Sequence, residues 1–400
     1  MTIVSADYLL TCDKEFKIVK NQAICFDSKI KEIAPLKDLT KRYPDAKVIL
    51  CESNSVLMPG LINVHMHLEF SANKTTLDYG DFISWLNSVI KSRDDLSSRC
   101  DEAYIDGVLK DILKSGTTTI GAISSFGADL NSCVKTPINV VYFNEVLGSN
   151  PAAVDALYND FLGRLEESKR YESDSFTPAI SIHSPYSTHP ILAKKALLQS
   201  LLVSTHFMES KAERDWLDCS SGDFVQFFKN FAPDAKPVNE AISYLELFKG
   251  YKTLFTHATL ATEKELEMMN DIGTITHCPV SNRLLGSKKL DIKKVKNLTL
   301  ATDGLSSNSS LNLWDEMRAA LMIHESIDPN LLAKELILAS TANASKALYK
   351  NSGMLEKGLD GDIISLKLPD VVENLDALAL FLVLHIDKAE HIFIKGIKQQ

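Results

Sequence analysis

The strongest constraint on the fold is an alternation of short β-rich runs with stretches long enough to form helices. Eight runs recur: "LINVHMH", "TTTIGAIS", "INVVYFNE", "AISIHS", "LVSTHF", "TLFTHA", "GTITHCP" and "LTLATD". Between them lie helical patterns such as "EAYIDGVLKDILKSG" and "ATEKELEMMNDIG". In the second, Thr262 and Glu265 have capping-box spacing and Gly273 stands where a helix would stop. Eight such units predict an α/β fold, a (β/α)8 TIM barrel over residues 58–354, rather than an open sheet. The first 57 residues read as short strands and turns, with a hairpin in "NQAICFDSKIKEIAP". The chain returns to strands in "DIISLKL" and "HIFIKG". Residues 1–57 plus 355–400 are therefore expected to form a small β-sandwich domain built from both termini.

Six of the eight runs finish in histidine or aspartate: His65 and His67, His183, His206, His257, His277 and Asp303. Six of the ten histidines sit at such ends. The C-terminal strand ends of a (β/α)8 barrel converge on one face, where such enzymes place their chemistry. His65 and His67 are two apart on one run, so both side chains point the same way. Two neutral imidazoles aimed at one point suit a metal ion. His206 in "THFMES" and Asp303 in "LATDGLSSN" would complete a nitrogen and oxygen donor set for Zn²⁺ or Fe²⁺. Such an ion lowers the pKa of a bound water to roughly 7.

Proton transfer still needs a carboxylate, and Glu209, three residues after His206, is the candidate; its other reading is a solvated loop acid. His257 reads as a residue that orients the water or stabilises the attacked atom, or as a satisfied core histidine. His183 is placed to touch substrate, His189 reads as surface, and His277 either lines the pocket or supports its wall.

Composition limits the partners. A net charge of −9 disfavours a nucleic-acid partner, which needs a basic surface. Seven scattered cysteines without C-x-x-C read as free thiols of a reducing cytoplasm. The apolar run "LALFLVL" is far too short for a membrane span, and the N-terminus lacks a signal-peptide pattern, so no membrane association is expected. The chain also lacks H-E-x-x-H, a zinc-deaminase H-x-E with P-C-x-x-C, a G-x-S-x-G elbow and a Walker A loop.

Taken together, "PGLINVHMH", "SIHSPYST", "THFMES", "FTHATL", "THCPVSN" and "ATDGLSSN" resemble the amidohydrolase superfamily. The similarity spans essentially the whole chain, including "STANASKALY" and "GMLEKGLDGDIISL" near its end. The resemblance implies that His65, His67, His206 and Asp303 bind one metal, that Glu209 shuttles protons and that His257 holds the water. Two-metal relatives use a modified lysine on strand four; "AISIHS" has none, so one ion is expected. His183 in "H-x-P-Y" and the "H-x-P-x-S-N" of strand seven resemble the deaminases of adenosine-like compounds and their chlorohydrolase relatives.

The stretch "HMHLEFSANKTTLDYGDFISWL" is similar to the deaminases that act on 6-amino-6-deoxyfutalosine in the futalosine route to menaquinone. The implied activity is removal of the 6-amino group of an adenine nucleoside. Catalysis would fall to Glu209, His257 and Asp303, and substrate binding to His183, Glu145 and Trp85. Glu145 would meet ribose hydroxyls; Trp85 reads as an aromatic against the substrate or as a helix packing residue, and Arg93 as a solvated charge. Alternatives are S-adenosylhomocysteine, methylthioadenosine or adenosine as substrate, a guanine, cytosine or triazine hydrolase, and a non-catalytic barrel scaffold. The superfamily resemblance also implies a homodimer.

Overall fold

The computed structural model describes residues 1–72, 75–230 and 234–399, so Asn73 and Lys74 of the stretch quoted last lie outside the described residues. Five strands come first: β1 (Thr2–Leu10), β2 (Ile18–Phe26), β3 (Ile30–Ala34), β4 (Lys47–Leu50) and β5 (Ser55–Pro59). The barrel strands follow: β6 (Leu61–His67), β7 (Thr117–Ser124), β8 (Asn139–Val146), β9 (Phe176–Ile182), β10 (Val203–Phe207), β11 (Thr253–His257), β12 (Thr274–His277) and β13 (Leu298–Leu300). β14 (Ile363–Lys367), β15 (His391–Ile394) and β16 (Ile397–Lys398) close the chain.

β6 to β13 pair in sequence order, every ladder parallel. β7 and β8 are buried along their whole length, as strands covered on both faces must be. The ring is closed between the last strand and the first by polar groups. Asp303 N–H donates to the His65 carbonyl oxygen at 3.2 Å. The Asn63 amide donates to Thr302 Oγ1 at 2.7 Å and accepts from Thr302 N–H at 3.3 Å. Closure thus ties the end bearing Asp303 to the strand bearing His65 and His67.

The covering helices follow from local signals. Asp101 caps the helix Glu102–Lys114 by accepting from Tyr104 N–H at 2.8 Å, and Ile105, Leu109 and Ile112 form its buried stripe. Thr262 and Glu265 make the predicted capping box at the start of Glu263–Ile272. Gly273 ends that helix for a steric reason, since a Cβ there would lie 2.0 Å from the Thr253 carbonyl oxygen.

The termini build a separate mixed sheet in the order β16-β15-β14-β5-β1-β2-β3, with β4 alongside β1. Phe26 on β2 meets Phe393 on β15 at 5.0 Å between ring centroids, although three strands separate them in that order. A flat sheet would hold them roughly 19 Å apart, so this one curls over its own core, which includes Val4, Leu9, Ile24, Leu57 and Ile363. One element departs from the strand-only expectation for the first 57 residues. Leu36–Arg42 is a short helix that buries Leu39. "LALFLVL" lies within the helix Leu378–His385, and among the described residues no helix is long and apolar enough to cross a membrane.

Candidate metal centre and active-site cavity

β6 is irregular where it matters. Its pairing with β7 slips between Asn63 and Met66. Gly121 on β7 permits the close approach, because a Cβ there would stand 2.2 Å from the Val64 carbonyl oxygen. The bulge carries His65, and His67 follows it back in register with Ile123; their rings meet edge to face at 5.1 Å. His206 arrives at the end of β10, and Asp303 follows β13.

His67 Nε2 lies 3.3 Å from His206 Nε2 and 3.5 Å from Asp303 Oδ1; His65 Nε2 lies 3.8 Å from the same oxygen. Four ligands at roughly 2.1 Å from a tetrahedral ion are about 3.4 Å apart, so the spacing fits such an ion. Tautomers agree. His206 Nδ1–H donates to the His183 carbonyl oxygen at 2.7 Å, which leaves the Nε2 lone pair facing inward. His65 Nε2 is buried with no hydrogen-bond partner among the described residues, an arrangement that is costly unless a cation satisfies it. Burial and the neighbouring imidazoles hold His65 well below the usual histidine range. Burial would raise Asp303, but His67, His257 and His206 together hold it below the ordinary carboxylate value. The donor set is therefore neutral imidazoles plus a carboxylate, which suits a divalent metal.

Glu209, His257 and Asp303 form the second cluster. His257 Nε2 stands 3.6 Å from Glu209 Oε1 and 3.9 Å from Asp303 Oδ2. His257 Nδ1 pairs with Asn282 Oδ1 at 2.8 Å. Asp303 Oδ2 accepts from Ser281 Oγ at 2.8 Å and from Ser307 Oγ at 3.0 Å, and Oδ1 accepts from Gly304 N–H at 2.9 Å. Burial, with the charges of Asp303 and Glu213, pushes Glu209 well above the usual carboxyl range. Met208, His257 and Asp303 have left-handed backbone, with φ of 51°, 76° and 58°. Each costs on the order of 1–3 kcal/mol, the kind of strain that gathers at functional sites. Glu213 steadies one of these turns, its carboxylate accepting from Met208 N–H at 3.0 Å and Glu209 N–H at 2.8 Å.

A cavity of about 180 Å³ opens over both clusters. Its walls include Glu145, His183, Trp85, Phe70, Phe126, Leu147 and Tyr186. Glu145 Oε2 accepts from Ser125 Oγ at 2.5 Å, and His183 Nδ1 pairs with Ser187 Oγ at 2.6 Å, which leaves His183 Nε2 for a ligand. Burial would raise Glu145, but His183, His67 and His206 hold it below its ordinary value. Trp85 lines the cavity while its Nε1–H donates to the Ser306 carbonyl oxygen at 2.7 Å. Larger hollows exist, such as one of about 450 Å³ beside Lys110 and Lys135, but among the described residues the clusters of imidazoles and acids that could hold an ion all lie at this cavity.

Three other residues take definite places. Arg93 is exposed and pairs with Asp94, away from the cavity. His189 is half-buried and caps the helix Pro190–Leu197, accepting from Ile191 N–H at 3.2 Å. His277 does not line the cavity; it is buried behind it, Nε2 to Nε2 with His324 at 3.0 Å.

Sequence reasoning overlooked Glu69. Its carboxylate accepts from Ser125 N–H at 2.7 Å, Phe126 N–H at 3.1 Å and Ala128 N–H at 2.9 Å, pinning the loop that brings Ser125 and Phe126 to the cavity wall. The available signal was spacing: Glu69 stands two residues after His67, as His67 does after His65.

Residues 56–396 match the family described as "Amidohydrolase family". The chain is 48% identical to the aminodeoxyfutalosine deaminase of a Nitratiruptor species over 386 residues, 95% of each chain. It is 35% identical to an adenosine deaminase of Helicobacter pylori over 98% of each. Among solved structures, that of Helicobacter pylori aminofutalosine deaminase in complex with methylthio-coformycin superposes with a TM-score of 0.94, at 33% identity, over the full length of both chains. Its motifs, its barrel and these similarities agree: the chain belongs to the amidohydrolase family.

Proposed function

We propose that this protein is a metal-dependent hydrolytic deaminase that replaces the 6-amino group of an adenine nucleoside by oxygen, with aminodeoxyfutalosine as its substrate. The observation that carries the deaminase reading is the buried Glu209 carboxyl standing 3.6 Å from His257 beside Asp303, at the floor of a cavity whose far wall offers Glu145 and His183. The choice of substrate rests on the 48% identity to the Nitratiruptor enzyme of that name, and it would place the reaction in menaquinone biosynthesis.

In this reading His65, His67, His206 and Asp303 hold a single divalent ion, Zn²⁺ in the first instance. When bound, the ion acidifies a water so that a nucleophile exists near neutral pH. Glu209, whose burial strengthens its hold on a proton, donates a proton to ring nitrogen N1 as oxygen adds to C6, which relieves the charge building on the ring. Asp303 accepts the proton released by the water, with its Oδ2 steadied by Ser281 and Ser307. His257 orients the water through Nε2. A proton then passes to the amino group, the C6–N6 bond breaks, and ammonia and the 6-oxo nucleoside leave. Glu145 and His183 bind the ribose hydroxyls, and Trp85 shields one side of the cavity from water. We place the enzyme in the cytoplasm, where thiols stay reduced, because all seven cysteines are free.

The test is ammonia release by purified, metal-loaded enzyme from aminodeoxyfutalosine, methylthioadenosine, S-adenosylhomocysteine, adenosine, guanine and cytosine. Turnover of the first with the highest kcat/KM supports the reading. Turnover of guanine or cytosine but of no purine nucleoside overturns it.

A further inference from the structure

Behind His257 a file of polar side chains runs away from the cavity. His257 Nδ1 meets Asn282 Oδ1 at 2.8 Å, Asn282 Nδ2 meets His277 Nδ1 at 3.4 Å, and His277 Nε2 meets His324 Nε2 at 3.0 Å. All four residues are buried, His324 at the far end being 4% exposed. The four come from three segments: His257 ends β11, His277 ends β12 with Asn282 five residues further on in "HCPVSN", and His324 stands at the C-terminus of the helix Leu313–Ile323.

We infer that His277 and His324 are positioning residues that, acting through the Asn282 amide, decide which nitrogen of His257 carries the proton. The inference rests on the deaminase reading for its kinetic consequence but not for its geometry.

A neutral imidazole has one donor and one acceptor, and an amide presents one donor group and one acceptor. A file of such groups has only two self-consistent polarities. With the amide as placed, Asn282 Oδ1 accepts from His257 Nδ1–H. Its Nδ2–H₂ then requires His277 Nδ1 to accept, so the His277 proton sits on Nε2 and is donated to His324 Nε2. In this polarity His257 Nε2, which has no hydrogen-bond partner among the described residues, offers a lone pair toward Glu209 and Asp303. In the reverse polarity the amide is turned over, and His257 presents Nε2–H to the cavity instead. Burial, with the charges of His324 and His257, pushes His277 down to about 3, so it stays neutral and keeps the file polarised. With the amide as placed, His324 Nε2 takes the accepting role, and that end holds the file in the first polarity. Removing it frees His277 to take either tautomer, and the amide to turn.

The test compares His324→Leu, which fills the space without an acceptor, with His324→Gln, whose amide oxygen can still accept from His277 Nε2–H. The expected result is a kcat lowered roughly tenfold in His324→Leu, the size of one neutral hydrogen bond, with KM and metal content unchanged. In His324→Gln, kcat returns to within about threefold of the parent. Equal kcat losses in both variants, or no loss in His324→Leu, overturn the inference. A second measurement needs neither turnover nor a variant at His324. In ¹⁵N-histidine-labelled, Zn²⁺-loaded protein, the His257 signals, identified by their absence from His257→Asn, should show a protonated Nδ1 and a bare Nε2. A protonated Nε2 in the parent protein overturns the inference even where no nucleoside is deaminated, whereas absent turnover with a bare Nε2 counts against the deaminase reading alone.

Discussion

His67 Nε2 and His206 Nε2 face each other at 3.3 Å, although 139 residues separate them in the chain. With His206 Nδ1–H committed to the His183 carbonyl, the His206 nitrogen in that pair carries a lone pair and no proton. Two nitrogens so placed beside Asp303 call for a cation between them. Replacing His206 by Ala should leave the purified protein with little bound divalent metal, read by elemental analysis. Activity should fall at least roughly 1000-fold, since the ion supplies several kcal/mol. Metal retained at the parent level would sink the ligand assignment.

Glu209 is the proton carrier in the proposed reaction. Glu209→Gln keeps the size of the side chain and removes the mobile proton. The expected loss is roughly 100- to 10,000-fold in kcat, with KM, metal content and melting temperature near those of the parent. A variant that retains a tenth of the parent kcat would remove Glu209 from this role.

Glu145 sits on the far wall with its oxygens held by Ser125 and Ser181. Hydrogen bonds to a charged group contribute about 1.5–3 kcal/mol. Glu145→Gln should therefore lower kcat/KM for a ribonucleoside roughly 10- to 100-fold, while a 2′,3′-dideoxy analogue loses little. Equal losses for both substrates would show that Glu145 does not read the ribose.

Glu316, which is outside the ligand set, gives a pH-dependent prediction. It is buried, accepts from Val280 N–H at 3.2 Å and from the Asn308 amide, and burial pushes it up to about 8. An unfolded glutamate titrates near 4.3. Between these values the folded chain binds the extra proton, so stability falls as pH rises from about 4.3 to 8. Glu316→Gln removes this dependence. The melting temperature of the variant should gain on the parent by several degrees between pH 5 and pH 9, and parallel curves would contradict the assignment.

Gly121 tests the link between backbone and site. Gly121→Ala would press its Cβ against the Val64 carbonyl oxygen and displace the bulge that bears His65 and leads into His67. The expected outcome is a protein destabilised by about 1–3 kcal/mol with weakened metal affinity, measured by melting and by competition with a chelator. A destabilised variant of unchanged affinity would separate the bulge from the site.

Much of the barrel was legible because its signals are local. β-branched runs and turn residues mark strands within a window of a few residues, and "LINVHMH" is β6 residue for residue. The helix Leu36–Arg42 escaped notice because its buried face amounts to Leu39, too little to show a period. Glu69 and the partnership of His277 with His324 were unreadable for a different reason. Their partners, Phe126 and the next histidine, lie 57 and 47 residues away, and nothing in the intervening sequence states who meets whom.

By itself the sequence determined which side chains stand at the strand ends and toward which face His65 and His67 point, because alternation along a strand is a property of neighbouring residues. It also determined the donor types, and so the class of ion they suit. Only the tertiary structure decided that three imidazoles and a carboxylate stand within ligand distance, that His206 is held in one tautomer, and that Glu209 is buried beside Asp303. Distances, tautomers and burial arise when β13 closes onto β6 and distant segments exclude water together, and no local stretch of chain contains that information.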